Sequence, residues 1–209
     1  MSELPTTVQD WPIPQLRQAM ALPANHHTNV SRRRLYRWYQ SIAPELHWTS
    51  FESPIGTLFL AANRDGLRKV SFAPAEAQFL ANLDPKAQLT KDGGEVHVYR
   101  QQLEEYFEGR RRSFSLPLDL AGLSDFQKEV LAAIDEIPAG QVRSYGDIAE
   151  QIKRPRAARA VGQALGNNPI PIVLPCHRVV ASDGSLGGYA GGLKRKRQLL
   201  VLEGAYPSD

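Results

Sequence analysis

Cys176 is the only thiol of the chain and lies in the run Pro175-Cys176-His177-Arg178-Val179-Val180. A thiolate is a soft nucleophile suited to attack on carbon, and a cation or proton acceptor beside the sulfur favours it over the thiol. His177 and Arg178 directly follow the sulfur, while Pro169, Pro171 and Pro175 stiffen its approach. Residue type alone leaves two readings open: an activated nucleophile, or the small buried hydrophobe that a lone cysteine commonly is. Further along, Leu193, Lys196, Leu200 and Glu203 recur at helical spacing and share one face. A carboxylate on a core-facing stripe needs a partner such as a histidine, unless Glu203, next to Gly204, ends the helix in water. Gly184, Gly187, Gly188, Gly191 and Gly192 surround Tyr189 and Ala190. Such a loop either closes around a planar ligand or simply turns, and no Walker or dinucleotide pattern accompanies it.

These groups must be positioned by the elements around them. Ser144 caps a short helix over Ser144 to Ile152, Lys153-Arg154-Pro155 breaks it, and a second helix follows over roughly Arg156 to Leu165. That is helix-turn-helix spacing, which fits DNA recognition or mere helix packing. In the second helix Ala158, Val161 and Leu165 share one face, whereas Arg159, Gly162 and Gln163 fall on others. Gly162 gives up helix propensity and would let a nucleic-acid backbone approach closely. Upstream, Ser124 and Gln127 have capping-box spacing, and Phe126, Val130, Ile134 and Ile137 form an apolar stripe ended by Pro138 and Gly140.

The preceding stretch has a different texture. Thr57 to Ala62 and Leu67 to Phe72 flank Asn63-Arg64-Asp65-Gly66, a hairpin signal, and Glu95 to Glu108 places Val96, Tyr99, Leu103, Tyr106 and Phe107 at helical spacing before Gly109. The expected fold is α+β: a small antiparallel sheet with one covering helix over residues 46–118, then a mainly helical domain over residues 119–209. Residues 1–45, rich in Pro, Gln, Asn and Arg, read as an arm with a short helix at Arg32 to Gln40.

Composition sets outer bounds. At 209 residues and 42% apolar content the chain can bury a substantial core, and no stretch approaches the roughly 20 apolar residues of a membrane span. The N-terminus lacks a signal-peptide layout, so the cytoplasm is the expected compartment. One cysteine excludes an intrachain disulfide and any zinc site built on two thiolates, and the histidines match no compact ligand spacing, so no metal is expected. A formal net charge of +3 is too mild to mark a nucleic-acid binder. Basic clusters at Arg32 to Arg34, Arg110 to Arg112, Lys153 to Arg159 and Lys194 to Arg197 each read equally as solvated surface.

Taken together, Phe126-Gln127, Ile137-Pro138-Ala139-Gly140, Ser144-Tyr145-Gly146, Arg159-Ala160-Val161-Gly162, Asn167-Asn168-Pro169, the Cys176 run, Gly188-Tyr189-Ala190-Gly191-Gly192 and Glu203 closely resemble the O6-alkylguanine-DNA alkyltransferases. The likeness is dense over residues 120–204 and looser upstream. It implies direct, irreversible transfer of the alkyl group from O6-alkylguanine in double-stranded DNA to the protein's own cysteine, with O4-alkylthymine as a further candidate substrate. It further implies a monomer without cofactor that binds the minor groove and flips the damaged base. By the same resemblance Cys176 is the acceptor, His177 reaches it through a water, Glu203 orients the imidazole and Asn168 holds the loop. Arg159 fills the vacated place in the base stack, and Tyr145 sits beside the flipped nucleotide. Val179, Tyr189 and Ala190 contact the guanine edge, Gly162 and Gln163 face the DNA, and Lys196 matches a lysine the family keeps. Two departures stand out: the cysteines of the zinc-bearing members are absent, and Ala190 replaces a serine that can bond the guanine oxygen. An alkylated-DNA sensor or a transcription regulator is the alternative, although the sensors carry tryptophan in place of Cys176.

Overall fold

The computed structural model describes residues 43–207 of the chain. The helix expected at Arg32 to Gln40, and almost all of the arm, lie outside those residues. Strands β1 (Glu45–Ser53), β2 (Gly56–Asn63) and β3 (Gly66–Ser71) form an antiparallel meander. Its second turn is the expected Asn-Arg-Asp-Gly, closed by Asn63 Oδ1, which accepts the backbone N–H groups of Asp65 (2.9 Å) and Gly66 (3.1 Å). Gly66 is required there: its φ is +140°, and a Cβ would stand 2.4 Å from the Pro117 carbonyl oxygen. The chain crosses β3 at this point on its way to the second half, Leu67 N–H bonding Pro117 O and Asp119 N–H bonding Leu67 O, each at 2.9 Å.

The sheet departs from the antiparallel expectation at its far edge. β4 (Gln88–Lys91) pairs in parallel with β1, giving the order β3-β2-β1-β4. A parallel neighbour needs a crossover, and the short helix α1 (Glu76–Ala81) supplies it while burying Phe79. The sheet is therefore covered on both faces. Leu46, Trp48, Phe59 and Ala61 pack with Phe79 on one, and Phe51, Leu58 and Leu60 face α2 (Val96–Phe107) on the other. The five apolar positions expected to face inward on α2 are all buried.

The second half is helical. α3 (Asp125–Asp135) begins with the expected capping box between Ser124 and Gln127. α4 (Tyr145–Gln151) begins with another, Ser144 Oγ accepting Asp147 N–H at 3.0 Å and Asp147 accepting Ser144 N–H at 2.8 Å. Lys153, at φ +58°, reverses the chain, and α5 (Ala158–Gly166) completes the helix-turn-helix, starting slightly later than the spacing predicts. A two-residue parallel pairing joins β5 (Arg143–Ser144) to β6 (Val179–Val180), and α6 (Leu193–Leu202) closes the described fold. Val130, Ile134, Val161, Leu165 and Leu199 share one apolar cluster with the α2 face of the sheet, so the halves bury a common core. Among the described residues no helix is long and apolar enough to cross a membrane.

Candidate active site

The approach to Cys176 is a tight loop held from inside. Asn168 Nδ2 donates to Leu174 O at 2.8 Å while its Oδ1 accepts Ile170 N–H at 3.0 Å, tying both arms of the Pro169 to Pro175 turn to one buried amide. Leu174 N–H bonds back to Ile170 O, and Cys176 N–H to Leu174 O. At the tip Ile172, fully buried, holds φ +77°, a conformation a β-branched residue adopts only when packing enforces it. The loop delivers Cys176 to the first position of a short 3-10 turn, Cys176–Arg178, immediately before β6.

Behind the sulfur lies a closed ion-pair cluster. Glu203, one residue beyond α6, is 5% exposed. Its Oε1 accepts His177 Nε2–H at 3.0 Å, Arg178 Nη2–H at 2.8 Å and the Tyr106 hydroxyl at 2.7 Å, while Oε2 accepts Arg178 Nε–H at 2.9 Å. Burial opposes ionisation, yet the hydrogen bonds from His177 and Arg178 hold the Glu203 carboxyl well below the usual carboxylate range. Burial, outweighing Glu203, lowers His177 and keeps the imidazole neutral. With Nε2–H turned to the carboxylate, His177 Nδ1 is the acceptor nitrogen, and it is buried without a hydrogen bond to any described residue. Arg178, although next to the His177-Cys176 pair in sequence, turns its guanidinium to Glu203 and to Ile137 O (2.5 Å).

The cation that acts on the sulfur is Lys196. Fully buried, its ammonium donates to Val179 O at 2.5 Å, to Leu186 O and to Gly188 O at 3.2 Å, three acceptors for three N–H groups. Burial lowers it from 10.5 to about 8, with Cys176 pulling the other way. Burial pushes the Cys176 thiol up to about 11, against a hydrogen bond from Asn168 and the charge of Lys196. The resting sulfur is therefore a thiol near neutral pH, and a nucleophilic role for it would require a base.

In front of the sulfur opens a cleft of 720 Å³. Tyr145, Arg159, Gly162 and Gln163 line it from the helix-turn-helix, Tyr189 and Ala190 from the glycine loop, and Cys176 from its floor. Of the expected site residues, seven thus meet in the cleft, while Asn168, His177, Val179, Lys196 and Glu203 are buried behind it. Arg159 and Gln163 are exposed to solvent. A Cβ on Gly162 would meet only Tyr145 ring carbons at 3.7 Å, so nothing inside the fold demands a glycine there. At Gly187, φ +63°, a Cβ would stand 2.8 Å from the Tyr145 hydroxyl, so this glycine makes room for the tyrosine. Leu193, expected on the inward stripe of α6, is 52% exposed; the stripe begins only at Lys196.

Three contributions from outside the expected set complete the site. Tyr106 lies 97 residues from Glu203, and only the rule that a buried tyrosine hydroxyl needs an acceptor hinted at it. Arg195 Nε donates to Ile55 O (2.8 Å) and Nη1 to Gly191 O (2.9 Å), and its guanidinium lies 5.2 Å over Phe72. Phe72 in turn packs on Tyr189, with ring centroids 6.0 Å apart. Among the described residues no cluster of three or more His, Cys, Asp or Glu is arranged to hold a metal ion.

Two family models match the chain: the 6-O-methylguanine DNA methyltransferase ribonuclease-like domain over residues 46–120, and the DNA binding domain of the same family over residues 125–205. The methylated-DNA–protein-cysteine methyltransferase of Mycobacterium tuberculosis is 44% identical over 158 residues, covering 76% of this chain and 92% of its own. The inducible enzyme of that name from Bacillus subtilis is 40% identical over 164 residues, covering 77% and 91%. Among solved structures, Mycobacterium tuberculosis OGT in complex with DNA superposes with a TM-score of 0.67 at 43% identity, covering 76% of this chain and 93% of that one. With both halves matched, a cysteine on the floor of a cleft walled by a helix-turn-helix, and a buried histidine and carboxylate behind it, the chain belongs to the 6-O-methylguanine DNA methyltransferase family.

Proposed function

We infer that the protein repairs duplex DNA by moving the alkyl group of O6-alkylguanine onto Cys176, once per chain. The observation that carries this reading is the position of Cys176: its sulfur lies at the floor of the cleft, with residues of the helix-turn-helix on one wall and a neutral imidazole held by Glu203 behind. Arg159, exposed at the cleft mouth, takes the place of the flipped base in the stack, and the bare Gly162 lets the DNA backbone come close. His177 Nδ1 accepts the thiol proton through a water, the sulfur attacks the alkyl carbon, and the carbon–oxygen bond breaks. The electron pair stays on the guanine oxygen, the Tyr145 hydroxyl donates a hydrogen bond as that charge develops, and the base then takes a proton from solvent. Lys196 favours the thiolate and fastens the wall carrying Tyr189 and Ala190. The product is a thioether, which water does not cleave, so each chain is consumed by one lesion.

The test is to incubate the protein with excess duplex carrying radiolabelled O6-methylguanine. One label per chain is expected on the peptide containing Cys176, and none in Cys176→Ala. Repeated turnover, or label released to solvent, would defeat the reading.

A further inference from the structure

The Glu203 carboxylate is held from both halves of the molecule. Arg178, anchored on Ile137 O, grips it with Nε and Nη2, and His177 takes Oε1 from the same short turn. The remaining bond comes from α2, where the Tyr106 hydroxyl reaches Oε1 at 2.7 Å. A carboxylate offers about four lone-pair sites, two on each oxygen, and these bonds are unevenly shared: three donors crowd Oε1 while Oε2 accepts one. The Tyr106 ring has little freedom to leave: it is 2% exposed and wedged against Phe107 (5.3 Å, edge-on) and Phe114 (5.5 Å).

Tyr106 and His177 lean on one and the same oxygen. Every donor on that oxygen draws charge from it and weakens its hold on the others. A phenol there disfavours the imidazolium, and burial keeps the phenol protonated well above its ordinary range, so it stays a donor. We propose that Tyr106 is a positioning residue of the alkyl transfer: its hydroxyl on Glu203 Oε1 sets how firmly the carboxylate grips His177, and so how readily Nδ1 takes the Cys176 proton. The sheet half of the chain thereby tunes the proton acceptor in the helical half. This rests on the alkyl-transfer reading and adds to it a residue from outside the DNA-binding half. The other groups that act on the cluster are Cys176 and Arg178 on the short turn, Lys196 on α6, Tyr189 in the glycine loop and Asp135 on α3; Arg112 bonds the Glu203 carbonyl.

The test is the pH dependence of single-turnover transfer from free O6-benzylguanine to full-length protein, for wild type, Tyr106→Phe and a variant carrying fluorotyrosine at position 106. Transfer needs neutral His177, so the rate falls on the acid side as the imidazole protonates. Without the hydroxyl the imidazolium is better held, and the acid limb of Tyr106→Phe should move up by about one pH unit, a tenfold change in proton affinity. Fluorotyrosine keeps the ring and donates more strongly, so its limb should move down. Should Tyr106→Phe not fold, the fluorinated protein carries the comparison. Acid limbs superimposable with wild type overturn the proposal, even if melting temperatures fall, because a packing role alone moves only stability. Failure of the wild type to label Cys176 at all would defeat the alkyl-transfer reading, a separate outcome.

Discussion

Replacing Lys196 by methionine should slow the chemistry far more than it weakens the fold. Methionine matches the length of the buried stem but cannot donate. The carbonyl of Val179, a fully buried residue, then loses this donor at a cost of about 1–3 kcal/mol, whereas Leu186 and Gly188 are near enough to the surface to find water. Against this, the drop of the ammonium from 10.5 to about 8 corresponds to about 3 kcal/mol of burial cost that methionine does not carry. The two nearly cancel, so the melting temperature should stay within about 8 °C of wild type. Transfer has no such compensation. The sulfur loses its cation and the cleft wall two of its tethers, and one charged hydrogen bond lost in the transition state, about 1.5–3 kcal/mol, means roughly ten- to a hundredfold slower transfer. The pH dependence of stability gives a second reading. Between about 8 and 10.5 the unfolded chain holds a proton on Lys196 that the folded chain has released, so stability rises with pH there. Cys176 works the other way as its unfolded thiol ionises around pH 9, because its folded value is about 11. Between pH 8 and 9 that loss is only about 0.3 kcal/mol and falls on both proteins, so wild type should gain about 1 kcal/mol relative to Lys196→Met. Single-turnover transfer of labelled methyl and urea melts at pH 7, 8 and 9 measure both. A variant with wild-type transfer, or with the same gain from pH 8 to 9, refutes the reasoning.

Two further perturbations separate the remaining parts. Glu203→Gln should destabilise the protein by about 3–5 kcal/mol at pH 7, since Arg178 stays buried without its counter-charge. The carboxylate lies below its ordinary 4.5 in the fold, so its contribution is complete above that pH and fades as pH drops through the folded value; in urea melts the gap between wild type and variant should narrow below pH 4. Arg195→Ala and Arg159→Ala should fail in different ways. Cutting Arg195 from Ile55 O and Gly191 O loosens the wall behind Tyr189 and should slow free benzylguanine and alkylated duplex alike, by about tenfold. Losing Arg159 should impair the duplex far more than the free base, and equal losses would remove its flipping role.

The parts of the fold that announce themselves locally were readable. Both capping boxes, the Asn63 to Gly66 turn and the inward face of α2 follow from residues within a few positions of each other. β4 was not, because Gln88–Lys91 is short, mostly exposed and carries no alternation, and its parallel partner is reached only through α1. In the site, the expectation that Glu203 meets a histidine agrees with the geometry, since one helical stripe suggested it. Where Arg178 points was not legible, because adjacency in sequence is not adjacency in space: consecutive residues of a 3-10 turn point about a third of a turn apart, and the guanidinium follows the carboxylate. Tyr106, Phe72 and Ile55 come from the far half of the chain, where no spacing rule could connect them to the cleft.

The two-residue pairing of β5 with β6 has a consequence for how this architecture tolerates change in length. Tyr145 opens α4 one step after β5, and Cys176 closes its loop three steps before β6. The separation of Tyr145 from the Cys176 sulfur across the cleft is thus measured by Arg143 against Val179 and Ser144 against Val180, and hardly at all by the long path that connects them. The exposed turn at Lys153 to Arg156 and the exposed bend at Ser182 to Ser185 lie outside this clasp, so a change of length there leaves the ruler itself in place. A single residue inserted between Ser144 and Tyr145, or between Cys176 and Val179, would shift its scale.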